Sequence, residues 1–148
     1  MARAFIGIDL GTTHTALAFA DEGDAIRSLP LPQWVARDLV ESRVLSPSVL
    51  RLDAGLDDGD VLPWGASAAS VGEFARQELA VVPGRVVASS KSWLVHRTVD
   101  RRTNILPASS DEGVHKVSPV GAARAFFTHL AGAWRSSQGT DLGAKTSS

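Results

Sequence analysis

The sequence predicts an α/β protein, with strands first and helices after them. Alternating, strand-like patterns fill most of the region before residue 53, and helical spacing of apolar residues appears after it. A chain of 148 residues with a hydrophobic content of 44% is large enough to bury one core. We therefore expect one compact unit that begins with strands and ends with a helix.

The segment 5–20 predicts a β-hairpin with a small, polar tip. Its apolar run stops at Asp9, continues as Leu-Gly-Thr-Thr, and resumes as an alternating strand. Gly11 permits a tight turn and the close approach of a ligand, while backbone N–H groups and the hydroxyls of Thr12 and Thr13 can act as donors. This combination is typical of an anion site.

Asp9 adds a carboxylate to the end of the first strand. An unpaired carboxylate in an apolar strand would be costly, and a hydrated Mg²⁺ is a suitable partner for it. Asp9 and the tip together predict binding of Mg²⁺ and phosphate. A Gly-Thr hairpin turn with no ligand at all is the alternative.

The next part of the chain reads as strands with one ambiguous segment. Residues 25–29 predict a third strand, and residues 45–52 predict another after a proline-restricted turn. Residues 33–44 fit either a short helix or an extended crossing. Residues 53–60 form a Gly/Asp-rich loop, and Trp64 after it is expected to be a packing residue.

The second half of the chain predicts helices. Residues 66–79 have apolar residues at helical spacing, and residues 85–96 predict a second helical segment or turn. Ser118 and Pro119 form a helix start, as N-cap and first helical residue. The apolar stripe of that last helix consists of Val120, Ala123, Phe127, Leu130, Ala131 and Trp134.

Lys91 is the second candidate for a site residue. It has apolar neighbours on both sides, so its ammonium either extends to water or binds an anion. From composition alone the solvated alternative is the more common one.

Composition excludes several classes of function. The net charge of −1 gives no electrostatic signature for nucleic acid or for an anionic membrane. The chain has no cysteine, and its four histidines have no metal-binding spacing. No apolar stretch is long enough to span a membrane or to serve as a signal-peptide core. These features indicate a cytoplasmic protein with no nucleic-acid or membrane partner.

The segment Ile-Gly-Ile-Asp-Leu-Gly-Thr-Thr-His-Thr resembles the first phosphate-binding segment of the actin-like ATPase superfamily. This resemblance implies the ribonuclease H-like fold, a mixed β-sheet with flanking helices. In this form the segment is similar to the heat-shock protein 70 (DnaK) family. The segments 71–76, 82–85, 90–94 and 105–107 resemble its divergent YegD-like branch. His14 departs from the residue that other branches have after the threonine pair.

The resemblance implies an ATP-hydrolysing chaperone that uses ATP and Mg²⁺. Asp9 would hold Mg²⁺ through water, and Gly11, Thr12, Thr13 and His14 would bind the β- and γ-phosphates. Lys91 would stabilise charge on the transferred phosphoryl group. Unfolded client peptides and co-chaperones would bind other parts of a longer protein.

The resemblance also implies an organisation. Residues 1–135 would form the N-terminal lobe of the nucleotide-binding domain, with a strand meander over 4–30, an insert with helices over 45–107 and a helix over 118–135. Residues 136–148 would be a flexible tail. The second phosphate hairpin of this fold is absent from the sequence, since the segment 141–146 lacks the preceding apolar strand and the glycine run.

Two consequences follow from the expectation of a single lobe, and two alternatives to it remain. The chain alone should bind ATP weakly or not at all, and its open strand edges should favour self-association. A fragment of a sugar or acetate kinase with the same fold is an alternative. A binding module that has lost turnover is another.

Overall fold

A computed structural model describes residues 3–52, 62–65 and 69–146, with side chains up to Gln138. The protein is mixed α/β, as expected. The predicted loop over 53–60 and the predicted helix start at 66–68 lie outside the described residues. The prediction of a mixed sheet is wrong for the described strands, which form three antiparallel sheets.

The first sheet contains the predicted hairpin. Strands β1 (Ala4–Leu10) and β2 (His14–Asp21) pair from Ala4 opposite Asp21 to Leu10 opposite Thr15. The other side of β2 pairs with β3 (Arg27–Ser28) and β6 (Ser46–Pro47). The third strand is therefore present but shorter than predicted, and β1 lies at the edge of the sheet.

The ambiguous segment forms a second hairpin. Strands β4 (Leu31–Ala36) and β5 (Leu39–Arg43) pair with each other, with an irregularity between Trp34 and Ala36. Trp34 and Gln33 are buried, which fits the extended alternative better than a helix.

The third sheet is built from β7 (Val49–Arg51), β8 (Ser70–Val71) and β9 (Val86–Ala88), with β7 in the centre. The helix predicted over 66–79 is wrong in its first part, because Ser70–Val71 pairs with β7. Gly72 then has a φ of 114°, which is not helical, and α1 spans only Glu73–Glu78.

The segment predicted as helix or turn over 85–96 also begins as a strand. A short 3₁₀ helix (Pro83–Arg85) leads into β9, and α2 covers only Ser90–Leu94. Ser89 connects the two with a left-handed backbone (φ 55°). The strand forms because Val86 and Val87 are buried beside β7.

The last helix, α3, spans Pro119–Thr146 and starts as predicted. The Ser118 hydroxyl oxygen accepts a hydrogen bond from the Gly121 N–H at 2.9 Å, as an N-cap should. The predicted end at residue 135 is not where the helix stops. In the part of the chain that the structure describes, no helix is long and apolar enough to cross a membrane.

The buried stripe of α3 differs in phase from the predicted one. Phe127 is 46% exposed, whereas Phe126 is 3% exposed. The first half of the buried stripe packs on Leu50 and Val87 of the third sheet, and the second half packs on Leu17 of the first. The buried residues of this stripe are Ala122, Phe126, His129, Leu130 and Ala133. One helix thus covers both sheets.

Candidate functional site

The hairpin tip has a backbone shape that requires glycine. The Gly11 N–H donates to the His14 carbonyl at 3.0 Å, which closes the turn. A Cβ at position 11 would lie 2.5 Å from that carbonyl oxygen, closer than any side-chain carbon can approach. Gly11, which the sequence predicts as a point of close approach for a ligand, is therefore also required by the turn itself.

The tip is fastened to the rest of the molecule by Ser48, which the sequence analysis did not select. Its hydroxyl donates to the Gly11 carbonyl and accepts from the Thr15 hydroxyl, both at 2.8 Å. Its N–H donates to the Thr13 carbonyl at 2.9 Å. Ser48 is only 4% exposed, so these bonds are shielded from water.

The same bonds leave donors free at the tip. Among the residues that the structure describes, the N–H groups of Thr12 and Thr13 have no hydrogen-bond partner. Thr12, Thr13 and His14 are exposed, and the Thr13 hydroxyl lies 3.2 Å from Nδ1 of His14. Two adjacent exposed N–H groups beside hydroxyls form a surface that can bind an anion.

Strand pairing explains why Lys91 lies near this tip. Val49 of β7 is opposite Ala88 of β9, so Ser48 and Ser89 are neighbours at the ends of the two strands. Helix α2 begins immediately after Ser89 and packs against α3. Lys91, on α2, is thereby brought to the side of the hairpin.

A narrow crevice joins the two predicted parts of the site. Its volume is about 10 Å³, which is about the room that one water molecule requires. A phosphoryl group is too large for this space, so it would bind at the mouth of the crevice, where Lys91 is exposed. The lining consists of Leu10, Gly11, Thr12, Ser48, Ser90, Lys91, Leu94, Ala123 and Phe126.

The remaining predicted residues, all of them described, are not part of this lining. Thr13 and His14 belong to the tip but lie outside the crevice. Asp9 is exposed, and strand alternation directs its side chain to the face of β1 opposite Leu10. The argument that burial makes an unpaired Asp9 costly therefore does not hold in the structure.

A single exposed carboxylate still fits Mg²⁺ bound through water. Mg²⁺ usually keeps several waters and takes one or two carboxylates together with phosphate oxygens. Among the described residues there is no cluster of three or more metal-ligating side chains. A lone exposed Asp9 is compatible with a water-mediated ion, whereas a site made only of protein ligands is not available in that part of the chain.

The structure also contains an ionisable group that the sequence analysis missed. His129 is 6% exposed, and burial lowers its pKa to about 4, against a hydrogen bond with the Pro32 carbonyl that acts in the opposite direction. Its ring meets the ring of Trp64 edge-on at 5.1 Å. His129 is a core residue on α3 and does not line the crevice.

Comparison of the chain with protein-family models, with curated proteins and with solved structures gave no match. The case for a function consequently depends on the residues and their geometry.

Proposed function

We propose that the hairpin tip and Lys91 form one half of an ATP phosphate site, in the N-terminal lobe of an actin-like ATPase of the heat-shock protein 70 type. The observation that carries this proposal is the crevice that Gly11 and Thr12 share with Lys91. These residues are far apart in sequence. Backbone N–H donors and a lysine on one crevice are the chemistry that phosphate oxygens need.

Each residue has a role in this proposal. The N–H groups and the hydroxyls of Thr12 and Thr13 bind phosphate oxygens, and Gly11 lets the backbone come close to them. Lys91 folds over the terminal phosphate and offsets negative charge as it develops. Ser48 holds the tip in position. Asp9 orients the waters of Mg²⁺, which would neutralise phosphate charge when it is bound.

The location of Lys91 supports the proposed ATPase over a sugar or acetate kinase. A sugar or acetate kinase of the same fold would have no role for the Ser-Lys-Ser-Trp segment. In the structure, Ser90 and Lys91 of that segment line the crevice beside the tip. This favours the ATPase over the kinase, whereas a binding module that has lost turnover would be separated from it by measuring ATP hydrolysis.

The wider proposal concerns a longer protein. There, a second lobe would complete the nucleotide site, and ATP hydrolysis would drive capture and release of unfolded peptides with the help of co-chaperones. The same proposal includes a cytoplasmic location.

The test is an NMR titration of the isotope-labelled chain with Mg²⁺ and ATP. We expect the amide signals of residues 11–14 to shift without reaching saturation, because only half of the ligand's contacts are present and binding is weak. Lys91→Ala should lower the affinity about fivefold, as expected for one exposed charge contact. The matched control is Lys116→Ala, whose ammonium bonds to the Ala108 carbonyl at 3.3 Å outside the crevice.

Two outcomes would contradict the proposal. If the NMR shifts occur away from the hairpin tip, or if the ATP affinity is the same in Lys91→Ala, the tip and Lys91 do not form a phosphate site. Micromolar affinity in this chain would show that the tip and Lys91 are not half of a site but all of one.

A further inference from the structure

A cavity lies between α3, the third sheet and the segment 62–65, apart from the crevice. Its volume is about 250 Å³, and none of the residues that line it also lines the crevice. Leu50 and Val71 of the third sheet and Leu62 form apolar walls, and all three are buried. Since a cavity of about 150 Å³ can hold benzene, this one has room for a substituted benzene ring.

Small residues of α3 create this space. The helix lines the cavity with residues at spacings of three and four, which form one face: Gly121, Arg124, Ala125, Thr128 and His129. Gly121 and Ala125 have little or no side chain, so they leave room between the helix and the third sheet. At Gly132 the helix instead contacts Trp64 so closely that a Cβ would lie 2.6 Å from the indole ring. Trp64 also lines the cavity and therefore forms its wall towards the C-terminal end of α3.

His129 brings an unused hydrogen-bond acceptor to the lining. Its side chain is buried, and its Nε2 has no hydrogen-bond partner among the residues that the structure describes. The bond with the Pro32 carbonyl is therefore donated by the other ring nitrogen, Nδ1, which leaves a free lone pair on Nε2. A buried acceptor without a donor is costly, so a ligand hydroxyl that donates to Nε2 would be stabilised there.

Arg124 adds a positive charge at the opening of the same cavity. Its side chain is exposed, and it forms no ion pair with a described residue. Arg124 and His129 are five positions apart on one helix, which separates them by about 7.5 Å along its axis. A benzene ring with para substituents spans a similar length. Because a guanidinium binds a carboxylate through two parallel hydrogen bonds, a ligand that satisfies both residues has a hydroxyl at one end and a carboxylate at the other.

We propose that this cavity binds a small aromatic acid with one ring, whose hydroxyl group lies opposite its carboxylate. The hydroxyl donates to Nε2 of His129, and the carboxylate pairs with Arg124. The ring packs against Leu50 and Val71, with the edge of Trp64 beside it. This site does not depend on the proposed phosphate site, because the two share no lining residue.

The test is an NMR titration of the isotope-labelled full chain with para-hydroxyphenylacetate. We expect the amide signals of residues 121–129 and the indole N–H signal of Trp64 to shift and to saturate, with a dissociation constant in the millimolar range for a ligand of this size. Phenylacetate lacks the hydroxyl and should bind about tenfold more weakly, because Nε2 of His129 then has no donor. Para-cresol lacks the carboxylate and should bind about fivefold more weakly.

Two variants on α3 test the other contacts. Arg124→Ala should remove the roughly fivefold preference for para-hydroxyphenylacetate over para-cresol. The matched control is Arg135→Ala, which removes an exposed arginine of the same helix outside the cavity lining and should leave that preference unchanged. Ala125→Leu should fill the cavity and prevent the binding of all three compounds, while the spectrum of the unbound variant shows whether it remains folded.

Several results would overturn the proposal. Shifts that occur away from α3 and Trp64, or that do not saturate, would show that the cavity does not bind these acids. Equal affinities for para-hydroxyphenylacetate and phenylacetate would show that Nε2 of His129 accepts no bond from the ligand. An unchanged preference in Arg124→Ala, or undiminished binding to a folded Ala125→Leu variant, would place the ligand elsewhere.

Discussion

Gly11 shows how one backbone position sets the geometry of the whole candidate site. The tip turn, the contact with Ser48 and the free N–H groups of Thr12 and Thr13 all depend on the path of the chain at this residue. The glycine was selected from the sequence because a phosphate loop needs close approach. The structure adds a steric reason, since the carbonyl of His14 occupies the space of a Cβ.

Gly11→Ala should therefore destabilise the protein, because the hairpin must open to admit the methyl group. We expect a loss of about 1–3 kcal/mol in the free energy of unfolding, measured with urea. The control is Gly7→Ala in β1, where the nearest atom to a new Cβ is 4.0 Å away. Equal effects of the two substitutions would show that the tip is not sterically constrained.

His129 is a residue whose role the sequence could not indicate, because one histidine in a helix has no spacing signal. Its pKa of about 4 in the folded protein lies below the ordinary 6.5. The unfolded chain therefore binds a proton at higher pH than the folded protein does. Stability from the neutral ring is complete above pH 6.5 and falls as the pH drops towards 4.

The difference between those two pKa values corresponds to about 3 kcal/mol of stability lost across that range. Glu73 contributes to the pH dependence of stability over a lower pH range, because its hydrogen bond with the Arg76 side chain lowers its pKa to about 2 from 4.5. Urea titrations at several pH values should show that His129→Gln flattens the dependence between pH 6.5 and 4. His115→Gln, at an exposed position, should not. An unchanged slope in His129→Gln would refute this account.

At the scale of elements, the sequence predicted what depends on local signals. The alternation around the Gly-Thr-Thr turn predicted β1 and β2, and Ser118 with Pro119 predicted the start of α3. The predictions from sequence failed where tertiary contacts determine the local structure. Ser70–Val71 fits a helical pattern but pairs with β7. The stripe predicted through Phe127 was wrong, because Phe126 is the buried one of the two adjacent phenylalanines of α3.

The phase of α3 can be tested by a pair of substitutions. Phe126 is packed against Leu50 and Val87, so Phe126→Ala should cost about 3–5 kcal/mol in the free energy of unfolding. Phe127→Ala should cost less than about 1 kcal/mol, because that side chain is 46% exposed. The reverse order, measured by chemical denaturation, would support the stripe predicted from the sequence.

At the scale of the whole molecule, the candidate site is assembled by sheet pairing across the chain. The first sheet supplies the tip, Ser48 and the start of α2 adjoin the ends of β7 and β9 of the third sheet, and α3 covers both sheets. Sequence patterns identified the tip and Lys91 as separate candidates. Their proximity depends on the register of β7 with β9, which no local pattern contains, and for the same reason the sequence did not indicate Ser48.

A double-mutant cycle on Thr12 and Lys91 tests this account most directly. The affinity for Mg²⁺ and ATP would be measured by NMR titration for the parent chain, Thr12→Ala, Lys91→Ala and the double variant. If both residues bind one phosphate group, the losses should be non-additive, with a coupling energy of at least about 0.5 kcal/mol. Losses that simply add would show that the hairpin tip and Lys91 do not act on the same ligand.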